Sequence, residues 1–270
     1  MFESIDIILL LAGAGLIAGF LAGLLGIGGG LVTIPAQIIV YDSLGFPPEW
    51  KMHIAIATSL GIIIATNMSS VWAHHRRGSV NWTIIRDWGL VIAIGSVIGS
   101  YYATALKTDT LVYAFATLGA VLALKMLLPL DHISLGETLP KGKTRFLPPA
   151  MIGFFSAILG IGGGSFSVPY MSLYQVQIQR AVGTASMLGL IISIAGGASY
   201  LVSGLSISGL PDSNIGFINL PSLVIISLAA VVMAPIGARV AHSISKRILN
   251  VVFGVFIVIA VTRLLMSVSA

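Results

Sequence analysis

Several neutral polar side chains stand inside the helix-length apolar runs of this chain. They are Thr58, Ser59, Thr66, Asn67, Thr184, Ser186 and Ser193. Of the nine acidic residues, Glu3, Asp6, Asp42, Glu49, Asp87, Asp109, Asp131, Glu137 and Asp212, none falls inside an uninterrupted span, and Asp6 stands at the very start of the first apolar stretch. Intramembrane carboxylates usually mark cation pathways and proton relays, so their absence argues against a cation pump. No His-Glu-x-x-His string, nucleophile–base pair or cysteine offers catalytic or metal chemistry, and the expectation is a protein that is no enzyme and needs no cofactor or metal. Hydroxyls and exposed backbone amides remain, and these suit an anion.

The amides are exposed by a glycine phrase that occurs twice. Gly19-Phe-Leu-Ala-Gly-Leu-Leu-Gly26-Ile-Gly28-Gly29-Gly30-Leu31-Val-Thr33-Ile-Pro35 aligns without a gap on Gly153-Phe-Phe-Ser-Ala-Ile-Leu-Gly160-Ile-Gly162-Gly163-Gly164-Ser165-Phe-Ser167-Val-Pro169. Each glycine costs a helix about 1 kcal/mol relative to alanine, so an apolar helix breaks here in both halves. Three adjacent glycines cover every face of a helix, which a packing stripe does not require. The helices resuming after Gly30 and Gly164 present unpaired amides and a positive dipole end at each break. Matching broken helices point to a substrate site in transporters. The expected substrate-binding set is Gly28, Gly29, Gly30, Leu31, Thr58, Ser59, Gly162, Gly163, Gly164, Ser165, Thr184 and Ser186. Thr58 and Thr184 are alternatively back-bonded to their own helix. His53 and Arg180 lie at the mouths of matching spans, which suits an interfacial residue or a group that gates, couples protons or attracts the ligand. Asn81 and Asn219 correspond and sit at loop ends, as helix caps do. Gly15, Gly19 and Gly23, and Gly95 with Gly99, suit close helix packing.

The elements that must position these groups follow from composition. The 270 residues are 57% hydrophobic and 9% charged, against about 25% charged in soluble domains. The chain is therefore an all-α polytopic membrane protein. Its partners are the lipid bilayer and a small anion; a homo-oligomer is left open. The net charge of +5 sits in loops rather than in a basic patch, so no nucleic-acid partner is expected. Spans are expected at 54–73, 88–106, 110–130, 181–203, 221–240 and 248–266, each about 20 residues. The interrupted stretches are 5–41 and 147–174. Residues 1–130 form a first repeat, 131–146 a polar cytoplasmic linker and 147–270 a second repeat. Trp50, Trp72, Trp82 and Trp88 flank the second and third segments as interfacial anchors.

Basic residues choose between two topologies. If each interrupted stretch crossed once, lysine and arginine would divide almost evenly. If each is a hairpin, Arg76, Arg77, Arg86, Lys125, Lys141, Lys143, Arg145, Arg180, Arg239, Lys246 and Arg247 share a side. Only Lys51, Lys107 and Arg263 then oppose them, a bias of the kind that orients membrane proteins. The predicted fold is thus two inverted repeats, each a broken-helix hairpin plus three transmembrane helices. Ile5–Leu25 alone is long enough to span, so the first arm must tilt or lie partly peripheral.

The doubled phrase, Ala181-Val-Gly-Thr184 and Pro235-Ile-Gly-Ala-Arg239 resemble the sulfite exporter TauE/SafE family, also called the toluene sulfonate uptake permease family, over nearly the whole chain. The resemblance implies a multi-pass transporter of the cell inner (plasma) membrane carrying sulfite, thiosulfate, sulfoacetate or other organosulfonates, in either direction. Secondary transport by alternating access is the expectation, with an anion channel or a non-transporting structural subunit as alternatives. Ser59 follows Thr58 whereas Ala185 follows Thr184, so the two half-sites differ chemically.

Overall fold

A computed structural model describes residues 4–25, 29–128, 134–140, 142–240 and 246–269. The chain is helical almost throughout: α1 (Ile5–Leu25), α2 (Gly30–Ser43), α3 (Lys51–Arg76), α4 (Trp82–Thr104), α5 (Thr108–Leu127), a 3-10 turn (Lys143–Phe146), α6 (Leu147–Leu159), α7 (Gly164–Ser172), α8 (Ile178–Gly204), α9 (Leu220–Val240) and α10 (Lys246–Ser269). A two-residue ribbon, β1 (Asn214–Ile215) with β2 (Ile218–Asn219), closes the long loop before α9. Six helices, α1, α3, α4, α5, α8 and α9, are long and apolar enough to cross a membrane. Large apolar side chains such as Leu90, Tyr101 and Leu228 stand exposed on them, as lipid-facing residues do.

Each interrupted stretch is a helix pair. In α2 and α7 the sixth residue is proline, Pro35 and Pro169. Proline has no N–H to donate, so the carbonyls of Leu31 and Ser165 lose their intrahelical partner one turn beyond the break. The arms differ in length: α1 has 21 residues and α6 has 13. The second pair starts later because Pro148 and Pro149 occupy the first turn of α6, where proline is tolerated.

Packing alternates between the halves. α1 lies along α9 in parallel, with Gly15 on Ile226, Gly19 on Ala230 and Gly237 on Phe20. α4 lies along α6 in parallel, with Gly95 on Ala150 and Gly99 on Phe154. A methyl group at any of these glycines would collide with the facing backbone, so here glycine serves close approach. α3 and α8 run antiparallel: Leu60 meets Gly197, Asn67 meets Gly189 and Ser70 meets Ser186. α5 and α10 are also antiparallel, with Gly119 on Val261 and Leu127 on Gly254.

The connections gather at two ends. At one, Thr108 Oγ1 donates to the carbonyl of Glu49 at 2.6 Å, and the Trp50 ring lies against Phe217. At the other, the Leu135 amide donates to the carbonyl of Leu173 at 2.8 Å, Gly183 abuts Ser79, and Arg145 lies 3.9 Å from Asp87. Arg76, Arg77, Arg86, Arg145 and Arg180 belong to this second end. Lys51 pairs with Asp42 at the first end, near Arg263. α3 starts at Lys51 and α4 at Trp82, earlier than their apolar runs. Asn81 moves the start of α4, since its side-chain oxygen accepts from the amides of Thr83 and Ile84. Asn219 caps the start of α9 by accepting from the Ser222 amide at 3.0 Å.

Candidate functional site at the two helix breaks

Both breaks are buried and both use left-handed glycines. Gly29 has φ of 81° and Gly160 of 60°, a region closed to most side chains. Gly29 is the residue before α2; Gly160 caps α6. The breaks meet. A methyl group on Gly30 would strike the carbonyl oxygen of Gly160 and come within 3.0 Å of both Ile161 Cα and Ser59 Oγ. Ser59 Oγ donates to that carbonyl at 2.8 Å and lies 3.1 Å from Thr33 Oγ1. A hydroxyl chain from α2 through α3 thus ties the first break to the end of α6. Leu31 is buried beside it. Gly28 lies outside the described residues.

The second break faces α8. A methyl group on Gly163 would lie 2.8 Å from Ile192 Cδ1 and 3.0 Å from the Gly189 nitrogen. The Asn67 side chain reaches the same place from α3, and its Nδ2 would lie 2.6 Å from a methyl on Gly189. Among the described residues, the amides of Gly162, Gly163 and Gly164 donate to no main-chain carbonyl. Ser165, Ser167 and Ser193 are buried and their hydroxyls have no hydrogen-bond partner. Ser156 and Ser100 are in the same state, the latter against Gly196 of α8. Ser186 is engaged: its Oγ donates to the Val182 carbonyl and lies 3.0 Å from Ser70 Oγ.

Thr58 and Thr184 are fully buried and face across the halves. Thr58 Oγ1 accepts the Asn219 amide at 2.9 Å, and Thr184 Oγ1 accepts the Asn81 amide at 2.9 Å. Each threonine therefore holds the capping asparagine of a helix in the opposite half, rather than bonding back to its own helix. His53 is fully buried in the first turn of α3, with Nε2 3.0 Å from the Leu106 carbonyl and Nδ1 unpartnered. Trp50 and Phe217 flank its ring, so it lies under the first-end loops. Arg180 is exposed in the first turn of α8 at the second end. The breaks and Ser59 are thus brought together, with Gly189 of α8 at the second break and Ser186 engaged with Ser70 instead, while His53 and Arg180 lie toward opposite ends.

Residues missing from the predicted set are Thr33, Gly160, Asn67 and Gly189. Thr33 and Gly160 stand inside the doubled phrase. Asn67 and Gly189 carry a weaker signal: extending the α3–α8 correspondence of Thr58 with Thr184 pairs Ile63 with Gly189 and Asn67 with Ser193. Among the described residues no group of three or more His, Cys, Asp or Glu could hold a metal ion. The site is a neutral, donor-rich junction in which each half supplies a break and a long helix.

Comparison with known proteins gives this junction its setting. The sulfite exporter TauE/SafE family matches residues 11–264. A probable membrane transporter protein of Haemophilus influenzae is 30% identical, covering 96% of this chain and 98% of its own length. One of Methanocaldococcus jannaschii is 26% identical, covering 93% and 92%. No solved structure matches the chain. With the doubled glycine phrase, six membrane-length helices and a family match from the first helix to the last, this multi-pass membrane protein belongs to the TauE/SafE sulfite exporter family, whose members compared here are described as membrane transporters.

Proposed function

We propose that the protein is a secondary transporter of small sulfur-containing anions, such as sulfite, thiosulfate, sulfoacetate or other organosulfonates, working by alternating access in the cell inner membrane. One observation carries this: two buried helix breaks abut, and uncommitted amide and hydroxyl donors surround them where no carboxylate lies. Such a site offers hydrogen bonds to an oxyanion without a fixed positive charge, so the ligand can leave again. The family's name supports a sulfur anion as cargo.

The fold we infer is a pair of inverted repeats. It is supported by the antiparallel pairing of α3 with α8 and of α5 with α10, the reciprocal α1–α9 and α4–α6 packing, and the reciprocal threonine–asparagine bonds. The arginines gathered at the second end fit a cytoplasmic face there. In this scheme Gly28 to Leu31 and Gly162 to Ser165 supply backbone donors at the breaks. Ser59 and Ser186 line the junction, and Thr58 and Thr184 brace it while keeping a hydroxyl hydrogen to donate. Arg180 draws anions toward the cytoplasmic mouth, and His53 gates the other.

Thermal stability of the purified protein against sulfite, thiosulfate, sulfoacetate, sulfate, phosphate and sodium tests the proposal. A ligand at 100 times its Kd stabilises by about 2.7 kcal/mol. Stabilisation by a sulfur anion, with saturable counterflow of that anion in proteoliposomes, is the expected result. A response to sodium alone would overturn it.

A further inference from the structure

We propose that the anion binds off-centre, nearer the second break than the first, and that Asn67 is its principal side-chain donor. The proposal rests on the anion reading above and locates its site. Asn67 is 2% exposed and sits in the middle of α3. Its Nδ2 and the backbone nitrogen of Gly163 lie within 2.6 and 3.1 Å of one point, the place a methyl on Gly189 would occupy. Both are donors, and neither is hydrogen-bonded among the described residues. Two neighbouring N–H groups in a buried junction without an acceptor are available to a ligand. An oxyanion accepts from both. The buried, partnerless hydroxyls of Ser165 and Ser167 stand on the first turn of α7, which opens at Gly163–Gly164, and Ser193 lies one turn beyond Gly189 on α8.

The first break lacks the side-chain parts of this arrangement. Gly189 corresponds to Ile63, a fully buried side chain. Asn67 corresponds to Ser193, too short to reach as far. Ser167 corresponds to Thr33, and Ala185 to Ser59; Thr33 and Ser59 bond to each other, and Ser59 donates to the Gly160 carbonyl, so these hydroxyls are engaged. The hydroxyls of Ser165 and Ser167 at the second break are not.

Asn67→Asp tests this. It keeps size and an oxygen acceptor but replaces the donors with a carboxylate. Affinity is measured by thermal shift and titration calorimetry for whichever of sulfite, thiosulfate or sulfoacetate stabilises the unmodified protein most. Asn67→Asp should weaken it by about ten- to a hundredfold, the loss expected for a hydrogen bond to a charged group. Ser199→Ala, farther along α8, should leave it unchanged. If Asn67→Asp does not fold, Gly189→Ala, which displaces the carboxamide, and Asn67→Ser must each weaken binding similarly. Wild-type affinity in a folded Asn67 variant overturns the off-centre site while leaving the anion reading intact. No anion binding by the unmodified protein overturns both.

Discussion

The two breaks carry the same glycine string yet differ in what surrounds it. At the first, Thr33, Ser59 and the Gly160 carbonyl satisfy one another. At the second, the hydroxyls of Ser165 and Ser167 are left unpaired. The glycines match; the residues of α3 and α8 facing them do not. Duplication supplies the glycine string twice, yet Gly29 takes a φ of 81° where its counterpart Gly163 takes −54°, and a few helix-face substitutions decide which copy has hydroxyls to spare.

The largest effects should come from the glycines that hold the halves together. Gly19→Ala and Gly99→Ala each place a methyl group on a facing backbone and should cost about 1–3 kcal/mol or more, read as a lower unfolding midpoint in detergent. Gly13→Ala, with open space around it, should be neutral. Equal losses for Gly19 and Gly99 support a balanced architecture; a loss for only one breaks the comparison at the level of packing.

Thr58→Val and Thr184→Val come next. Each removes the acceptor of a buried amide, Asn219 or Asn81, and should cost about 1–3 kcal/mol. Similar losses mean the braces are equivalent, leaving the asymmetry to the breaks. Ala185→Ser is the sharper and smaller test. It gives Ser167 the partner that Thr33 has in Ser59, so the unliganded protein should gain about 1 kcal/mol while anion affinity falls. Unchanged stability and affinity would show that Ser167 and Ala185 do not face each other as their counterparts do. The smallest change is expected from His53→Gln, which should flatten the pH dependence of uptake without altering the preferred anion; an unchanged profile removes His53 from gating by protonation.

Much of the fold was legible in the chain. Apolar runs located five of the six membrane-length helices; the sixth is α1, read from the sequence as a hairpin arm, while the run at 248–266 is not among them. The glycine triplets located the breaks, and Asn81 and Asn219 announced helix starts. Gly15, Gly19, Gly95 and Gly99 packed as small residues at helical spacing do. Arg76, Arg86, Arg145 and Arg180 gather at one end of the helices. The site was less legible, because its bonds join residues far apart in sequence. Ser59 finds Gly160, Thr58 finds Asn219 and Asn67 finds Gly189, and no local periodicity encodes such partners. Asn67 stood among the neutral polar residues of the spans, yet only the glycine across from it distinguishes it from Ser193.

The crossed packing bears on biogenesis. α1 leaves the ribosome with a glycine face, Gly15 and Gly19, whose partner α9 begins at Leu220. At about 5–20 residues per second, that partner arrives roughly 10–40 s later. Until then the first half must wait in the bilayer with its closest-packing surface against lipid. α4 waits less, since α6 follows soon after it. The docking of α9 on α1 is therefore a late assembly step, followed only by α10 on α5, and a chain truncated before Leu220 should insert yet remain a substrate for membrane quality control.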